Sequence, residues 1–100
     1  MPDNIHGTIN ASPPTNVLIG TSNAQVVAEN LNRQGLIVTN LSNSTMYLGL
    51  MDMTATLHAG IVLIPNGGTW TMDEYNYNNS KINAIAHSSG NILSIQEFIR

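Results

Sequence analysis

The side chains able to do chemistry in this chain are few and scattered. The three histidines, His6, His58 and His87, are so widely separated that none has a partner at i, i+2 or i, i+4. Zinc needs three or four donors converging on one point. Here they would meet only through the tertiary fold, and the simpler expectation is three separate surface or turn residues. The carboxylates are Asp3, Glu29, Asp52, Asp73, Glu74 and Glu97. A glycosidase sets two such groups across a cleft, and a chain of short strands has little material for a cleft. Asp73 and Glu74 are adjacent at an expected strand end, so their side chains point apart and read as a solvated turn. There is no cysteine nucleophile and no G-x-S-x-G elbow. There is no P-loop or G-x-G-x-x-G, and Gly67-Gly68 reads as a turn. The expectation is a protein with no enzymatic activity, no cofactor and no metal.

Aromatic and amide groups are a second kind of functional candidate. In Asp73-Glu74-Tyr75-Asn76-Tyr77-Asn78-Asn79-Ser80, Tyr75 and Tyr77 would share one face if the segment is extended. Aromatic faces beside amides grip sugars or make rigid protein contacts. With Trp70 they would make a carbohydrate- or receptor-binding module, so glycan is a possible ligand. The competing reading is a long loop whose tyrosines pack on a sheet edge. Met46, Met51 and Met53 offer adaptable apolar surface, suited to a core or to an interface. Arg33 is the one charge between Asn30 and Leu50. Its simplest role is the cation at a hairpin tip, with a carboxylate partner on this chain or a neighbouring one. The asparagines around it read as turn and strand-end residues that bond to their own backbone.

The elements that would position these groups are short apolar runs separated by turn residues. They are Val17–Ile19, Gln25–Ala28, Leu36–Thr39, Thr45–Leu50, Ile61–Ile64, Thr69–Met72, Ile82–Ala86 and Ile92–Ile99. This pattern predicts an all-β fold, an antiparallel β-sandwich or small barrel of about eight short strands. No window sustains a helical period, although Met51–Ala59 has room for one turn of helix. Residues 1–16 read as an extended N-terminal arm, because Pro13-Pro14 favours polyproline II and ends any regular element. Residues 17–100 then form the β-sandwich domain. Several runs are apolar on both faces. In Thr45–Met51, for example, Met46, Leu48 and Leu50 alternate with Tyr47, Gly49 and Met51. A second apolar face needs a cover. A homo-oligomeric neighbour or larger assembly is the simplest one. The other is the chain's own arm together with Met51–Ala59.

Composition narrows the class. One hundred residues make one domain, able to bury about two-thirds of its extended-chain surface. Only 9% of residues are charged, against about 25% in average soluble domains, and the net charge is −3. Three basic residues are too few to cluster on phosphates, which argues against nucleic acid and against an anionic membrane surface. No segment approaches the ~18 apolar residues of a membrane span. The first residues, MPDNIHGTIN, have neither a basic n-region nor an apolar h-region, so a cytoplasmic origin is expected. Away from proline, N-x-S/T sequons at Asn40, Asn43 and Asn78 read as chance in an Asn-rich chain. An Asn, Ser and Thr surface is hydrated by hydrogen bonds that salt does not screen. It suits a protein that packs against neighbours.

One family pattern can be laid over these runs. The segment Gln25–Ser42 (QVVAENLNRQGLIVTNLS) resembles a pattern in small accessory virion proteins of tailed bacteriophages. In that pattern a strand ends in an Ala-x-Pro-x-Arg-like turn. An apolar strand, Asn-x-Ser and a strand containing Tyr-Leu follow. Tyr47-Leu48-Gly49 fills the last place, while Leu31 stands where the family's turn often has proline. Ala59–Leu63, Gly67–Trp70 and Ala84–Glu97 look like its later strand, turn and closing hairpin. The resemblance implies a small β-domain on a phage particle: capsid decoration, head-fibre base, or neck or tail component. The expected function is a structural virion protein, most simply a capsid decoration or cement protein. Its partners would be other virion proteins and further copies of itself. The contact residues expected are Ile5, His6 and Ile9 of the arm, with Arg33, Met51, Met53, Trp70, Tyr75 and Tyr77.

Overall fold

Every one of the eight apolar runs is a strand, and a ninth short strand precedes them. In the computed structural model, which describes residues 9–72 and 77–100, the strands are β1 (Asn10–Ala11), β2 (Thr15–Ile19), β3 (Ala24–Val27), β4 (Arg33–Asn40), β5 (Met46–Gly49), β6 (Ile61–Leu63), β7 (Thr69–Met72), β8 (Ile82–Ala86) and β9 (Asn91–Ile99). They form two antiparallel sheets. One has the order β2-β9-β4-β7, with β1 also on β9, and the other has the order β3-β8-β5-β6. The fold is a β-sandwich, as expected. No helix long and apolar enough to cross a membrane is present among the described residues.

The topology differs from a set of hairpins. Strand β3 pairs with β8 while β4 pairs with β9 and β7, so residues 28–32 cross from one sheet to the other. Residues 41–45 cross back, since β5 pairs with β6 and β8. The expected hairpin around Arg33 is therefore a crossover. Sheets pack about 10 Å apart and an extended residue covers about 3.3 Å, so a few turn residues suffice for either path. Turn composition alone does not distinguish them. The pairs β2·β9, β3·β8, β4·β7 and β5·β6 are nested one inside the next. Rolled into two sheets, this nesting is the arrangement of an eight-stranded jelly roll.

The arm is held by its own domain from Asn10 onward. Asn10 and Ala11 lie opposite Ile99 and Phe98, and Thr15–Ile19 lie opposite Ile95–Asn91. Ser12 N donates to Glu97 O at 2.8 Å and Gln96 Nε2 donates to Ser12 O at 3.2 Å. Pro13-Pro14 therefore interrupts one edge strand. An edge tolerates proline because its missing N–H would face away from the ladder. Ile5 and His6 lie outside the described residues.

The core between the sheets is built from alternate residues of each strand: Leu36 and Val38 of β4, Met46 and Leu48 of β5, Ala84 and Ala86 of β8, and Leu93 and Ile95 of β9, among others. Trp70 lies opposite Val38 on the inner side of β7 and packs against this core. Among the described residues no buried side-chain nitrogen or oxygen lacks a hydrogen-bond partner.

Strand β5 is buried on both faces, and the chain itself supplies the second cover. The loop 50–60 folds back over the outer face of β5. A Cβ at Gly49 would stand 2.2 Å from Met53 O, a contact only glycine permits. Two asparagine side chains pin the loop: Asn83 Nδ2 donates to Met53 O at 2.8 Å, and Ala55 N donates to Asn23 Oδ1 at 2.6 Å. The helical turn anticipated in Met51–Ala59 does not form. Met51, Asp52 and His58 have φ of 56°, 64° and 66°, outside the right-handed helical region. The asparagine side chains take the backbone groups a helix would use internally.

Candidate functional site

Arg33 is the most deeply placed charge among the described residues, with no exposed surface. A bulge in β4 puts it there. Arg33 lies opposite Ile99, whereas Gly35 lies opposite Phe98, so Gln34 is the extra residue. A bulge re-aims the side chains beside it, and this one turns Arg33 onto the inward row that Leu36 and Val38 continue. Its Nε donates to Glu97 Oε2 at 2.6 Å. Nη1 donates to Asn78 O at 3.2 Å and Ser80 O at 3.0 Å, and Nη2 donates to Ala28 O at 2.6 Å. Tyr77 closes the group from outside, its hydroxyl donating to Arg33 O at 2.6 Å. One guanidinium thus ties the β3–β4 crossover, the segment before β8 and strand β9 into one corner. It is an internal anchor. The expected carboxylate partner is Glu97 of this chain, whereas the expected hairpin tip is a crossover between sheets and the guanidinium is enclosed on every face.

Asn40, at the other end of β4, is also fully buried. Its Nδ2 donates to Ser44 O at 2.8 Å and Leu63 O at 3.0 Å, while its Oδ1 accepts from Ser42 N at 2.9 Å and Ser42 Oγ at 2.7 Å. The amide's donors and acceptor organise the β4–β5 crossover. This explains in part why the chain uses asparagine so freely where it changes sheets.

Two histidines expected to be separate are neighbours. Tyr47 of β5 points outward and is nearly buried. Its hydroxyl lies 3.3 Å from His58 Nδ1 and 3.0 Å from His87 Nε2. The two imidazole centroids are 5.0 Å apart. His58 comes from the loop 50–60 and His87 from the turn after β8, and both rings reach solvent. Three elements thus bring three nitrogen or oxygen donors to one point. The outward position of Tyr47 was legible in the alternation of Thr45–Met51. The convergence depends on the fold-back of a long loop, which no local spacing encodes.

The outer face of the larger sheet carries an exposed apolar row. Leu18 and Ile92 are cross-strand partners on β2 and β9, and Leu41, just past β4, donates its N–H to Ile92 O at 3.0 Å. Leu18 is 71% exposed, Leu41 53% and Ile92 38%. The row is invisible in the individual runs because its members come from two strands and the turn after a third.

The remaining expected contact residues are dispersed. Ile9, Met51 and Met53 are exposed, and Tyr77 is partly exposed with its hydroxyl engaged. Trp70 lines the core, and Tyr75 and the Asp73-Glu74 turn lie outside the described residues. A cavity of ≈ 310 Å³ lies between the loop 50–60 and strands β5 and β6, with Leu48, Leu50, Met53 and Ile61 in its walls. No titratable side chain lines it, and its polar side chains are the hydroxyls of Thr54 and Thr56. No family model, curated protein or solved structure matches the chain.

Proposed function

We propose that the chain is a non-enzymatic structural protein of a tailed-phage particle, made in the host cytoplasm and incorporated into the virion. There it decorates or cements the capsid by binding other virion subunits. The observation that carries this reading is the row Leu18–Ile92–Leu41. Three adjacent, exposed large aliphatic side chains on the outer face of a sheet form a surface suited to being covered. Two further features support it. Jelly rolls serve in capsid and lectin domains, an analogy at the level of fold. The turn-and-strand pattern of Gln25–Ser42 also resembles accessory virion proteins.

The alternative, a carbohydrate- or receptor-binding module, drew on Trp70, Tyr75 and Tyr77. Trp70 is engaged with the core and the Tyr77 hydroxyl with Arg33 O. Of that set, the exposed ring of Tyr77 is what the described residues offer a ligand.

The test is co-sedimentation of the chain with density-purified particles from the culture that produces it. The expected result is a fixed stoichiometry per particle, lost in a Leu18→Lys, Leu41→Lys double variant. A chain that stays monomeric and free of particles would remove the proposal. A companion truncation should stop at Ile9, because removal of Asn10 onward strips part of the edge strand.

A further inference from the structure

We propose that Tyr47, His58 and His87 form a binding site for one divalent transition-metal ion of the zinc or copper(II) class. The inference is independent of the virion reading.

The geometry is the first support. Donors held at ~2.0–2.1 Å from one tetrahedral ion lie roughly 3.3–3.4 Å from one another, and closer where the angle at the metal narrows. The Tyr47 hydroxyl lies 3.3 Å from His58 Nδ1 and 3.0 Å from His87 Nε2. Those separations already match two edges of such a polyhedron. The imidazole centroids are 5.0 Å apart, and rotation of the solvent-facing rings turns their nitrogens from the hydroxyl onto the ion.

The second support is the way the donors are held. Tyr47 is fixed on a central strand of its sheet and only 5% exposed. His58 sits at φ 66°, a left-handed conformation that a non-glycine residue adopts at some cost. Gly60, two residues on, has φ 78°. The loop thus spends backbone strain to bring this ring over the phenol. Such strain clusters at ligand clamps.

The third support is the donor chemistry. One hydroxyl has one proton, so it can donate to only one of the two ring nitrogens and must accept an N–H from the other. Either way the two rings carry the same tautomer, both protonated on Nε2 or both on Nδ1. With an ion bound, both facing nitrogens are lone-pair donors, so His58 holds its proton on Nε2 and His87 on Nδ1, and one ring changes tautomer on loading. The phenol proton leaves to solvent as the oxygen binds, one proton per ion. No cluster of three His, Cys, Asp or Glu exists among the described residues, and in the proposed site the tyrosine is the third donor. Two imidazoles with no carboxylate disfavour calcium and magnesium, which take oxygen ligands. The exposed side of the site leaves room for water as a further ligand.

The test uses the full chain without an affinity tag, titrated separately with zinc chloride and copper(II) sulfate. One ion per chain is expected by equilibrium dialysis. Copper(II) should give a visible phenolate-to-metal charge-transfer band. His58→Gln and His87→Gln should each weaken zinc binding by about tenfold or more, with unchanged far-UV circular dichroism. Tyr47→Phe should abolish the copper band, and His6→Ala should change neither reading. In the unaltered chain, substoichiometric copper(II) should broaden the His58 and His87 ring resonances first. The proposal is overturned if the chain retains no ion or the wild-type band is absent. It is also overturned if binding survives in the double histidine variant, or if His6 alone broadens.

Discussion

The Nε of Arg33 and the Oε2 of Glu97 meet at 2.6 Å across 64 residues of chain, at the end of the core where β4 and β9 pair. Each group makes the other's burial tolerable. The guanidinium alone would be an uncompensated charge in an apolar sandwich, and its three carbonyl contacts complete the arrangement.

Arg33→Ala should therefore be among the most destabilising single substitutions. It removes the guanidinium's hydrogen bonds to Glu97 and to the carbonyls of Ala28, Asn78 and Ser80. A loss of about 3–5 kcal/mol is expected, read from urea unfolding. Glu97→Gln keeps an acceptor beside Arg33 and should cost less, about 1–3 kcal/mol. A wild-type unfolding midpoint for Arg33→Ala would mean that the anchor has no energetic role.

Asn40 tests the same logic with a neutral group. Asn40→Asp keeps the shape but replaces a donor facing Ser44 O and Leu63 O with an acceptor. The expected cost is about 2–3 kcal/mol, larger than that of a conventional surface Asn→Asp change. For a domain of this size that is a fall in Tm of roughly 10–20 °C by calorimetry.

Gly49→Ala should lift the loop 50–60 off β5, because its Cβ would collide with Met53 O. A cost of about 1–3 kcal/mol is expected. Hydrogen exchange should quicken at Ala55, whose N–H is bonded to Asn23. Gly20→Ala meets nothing within 4 Å and should leave both readings unchanged.

The exposed apolar row should behave in the opposite way to the buried anchors. Leu18→Lys with Leu41→Lys should change unfolding free energy by no more than about 1 kcal/mol, since both side chains stand largely in solvent. Self-association measured by sedimentation velocity should fall. An unchanged sedimentation profile together with a large stability loss would reassign these residues to the core.

The sequence disclosed the strands and concealed how they connect. Alternation and turn residues mark β2 to β9 because burial acts on a period of two. A crossover such as 28–32, however, carries the same asparagine turn chemistry as a hairpin. Arg33 was visible as an isolated charge, but its inward aim depends on the bulge at Gln34 and on a partner far along the chain. The apolar second face of β5 called for a cover, and the signal for an internal one was Gly49, the one small residue in that run. His58 and His87 share no local pattern, so only the folded loop brings them to Tyr47.

The nested pairing also bears on how such a chain can be assembled. It is one ribbon doubled at residues 50–60. Once β5 lies against β6, each later pair has only the two short segments flanking the previous pair left to close. The entropy of ring closure is then met in small instalments, although β2 and β9 are distant in sequence. The last step sets Asn10 beside Ile99, so the two ends of the ribbon seal the fold as a clasp seals a belt.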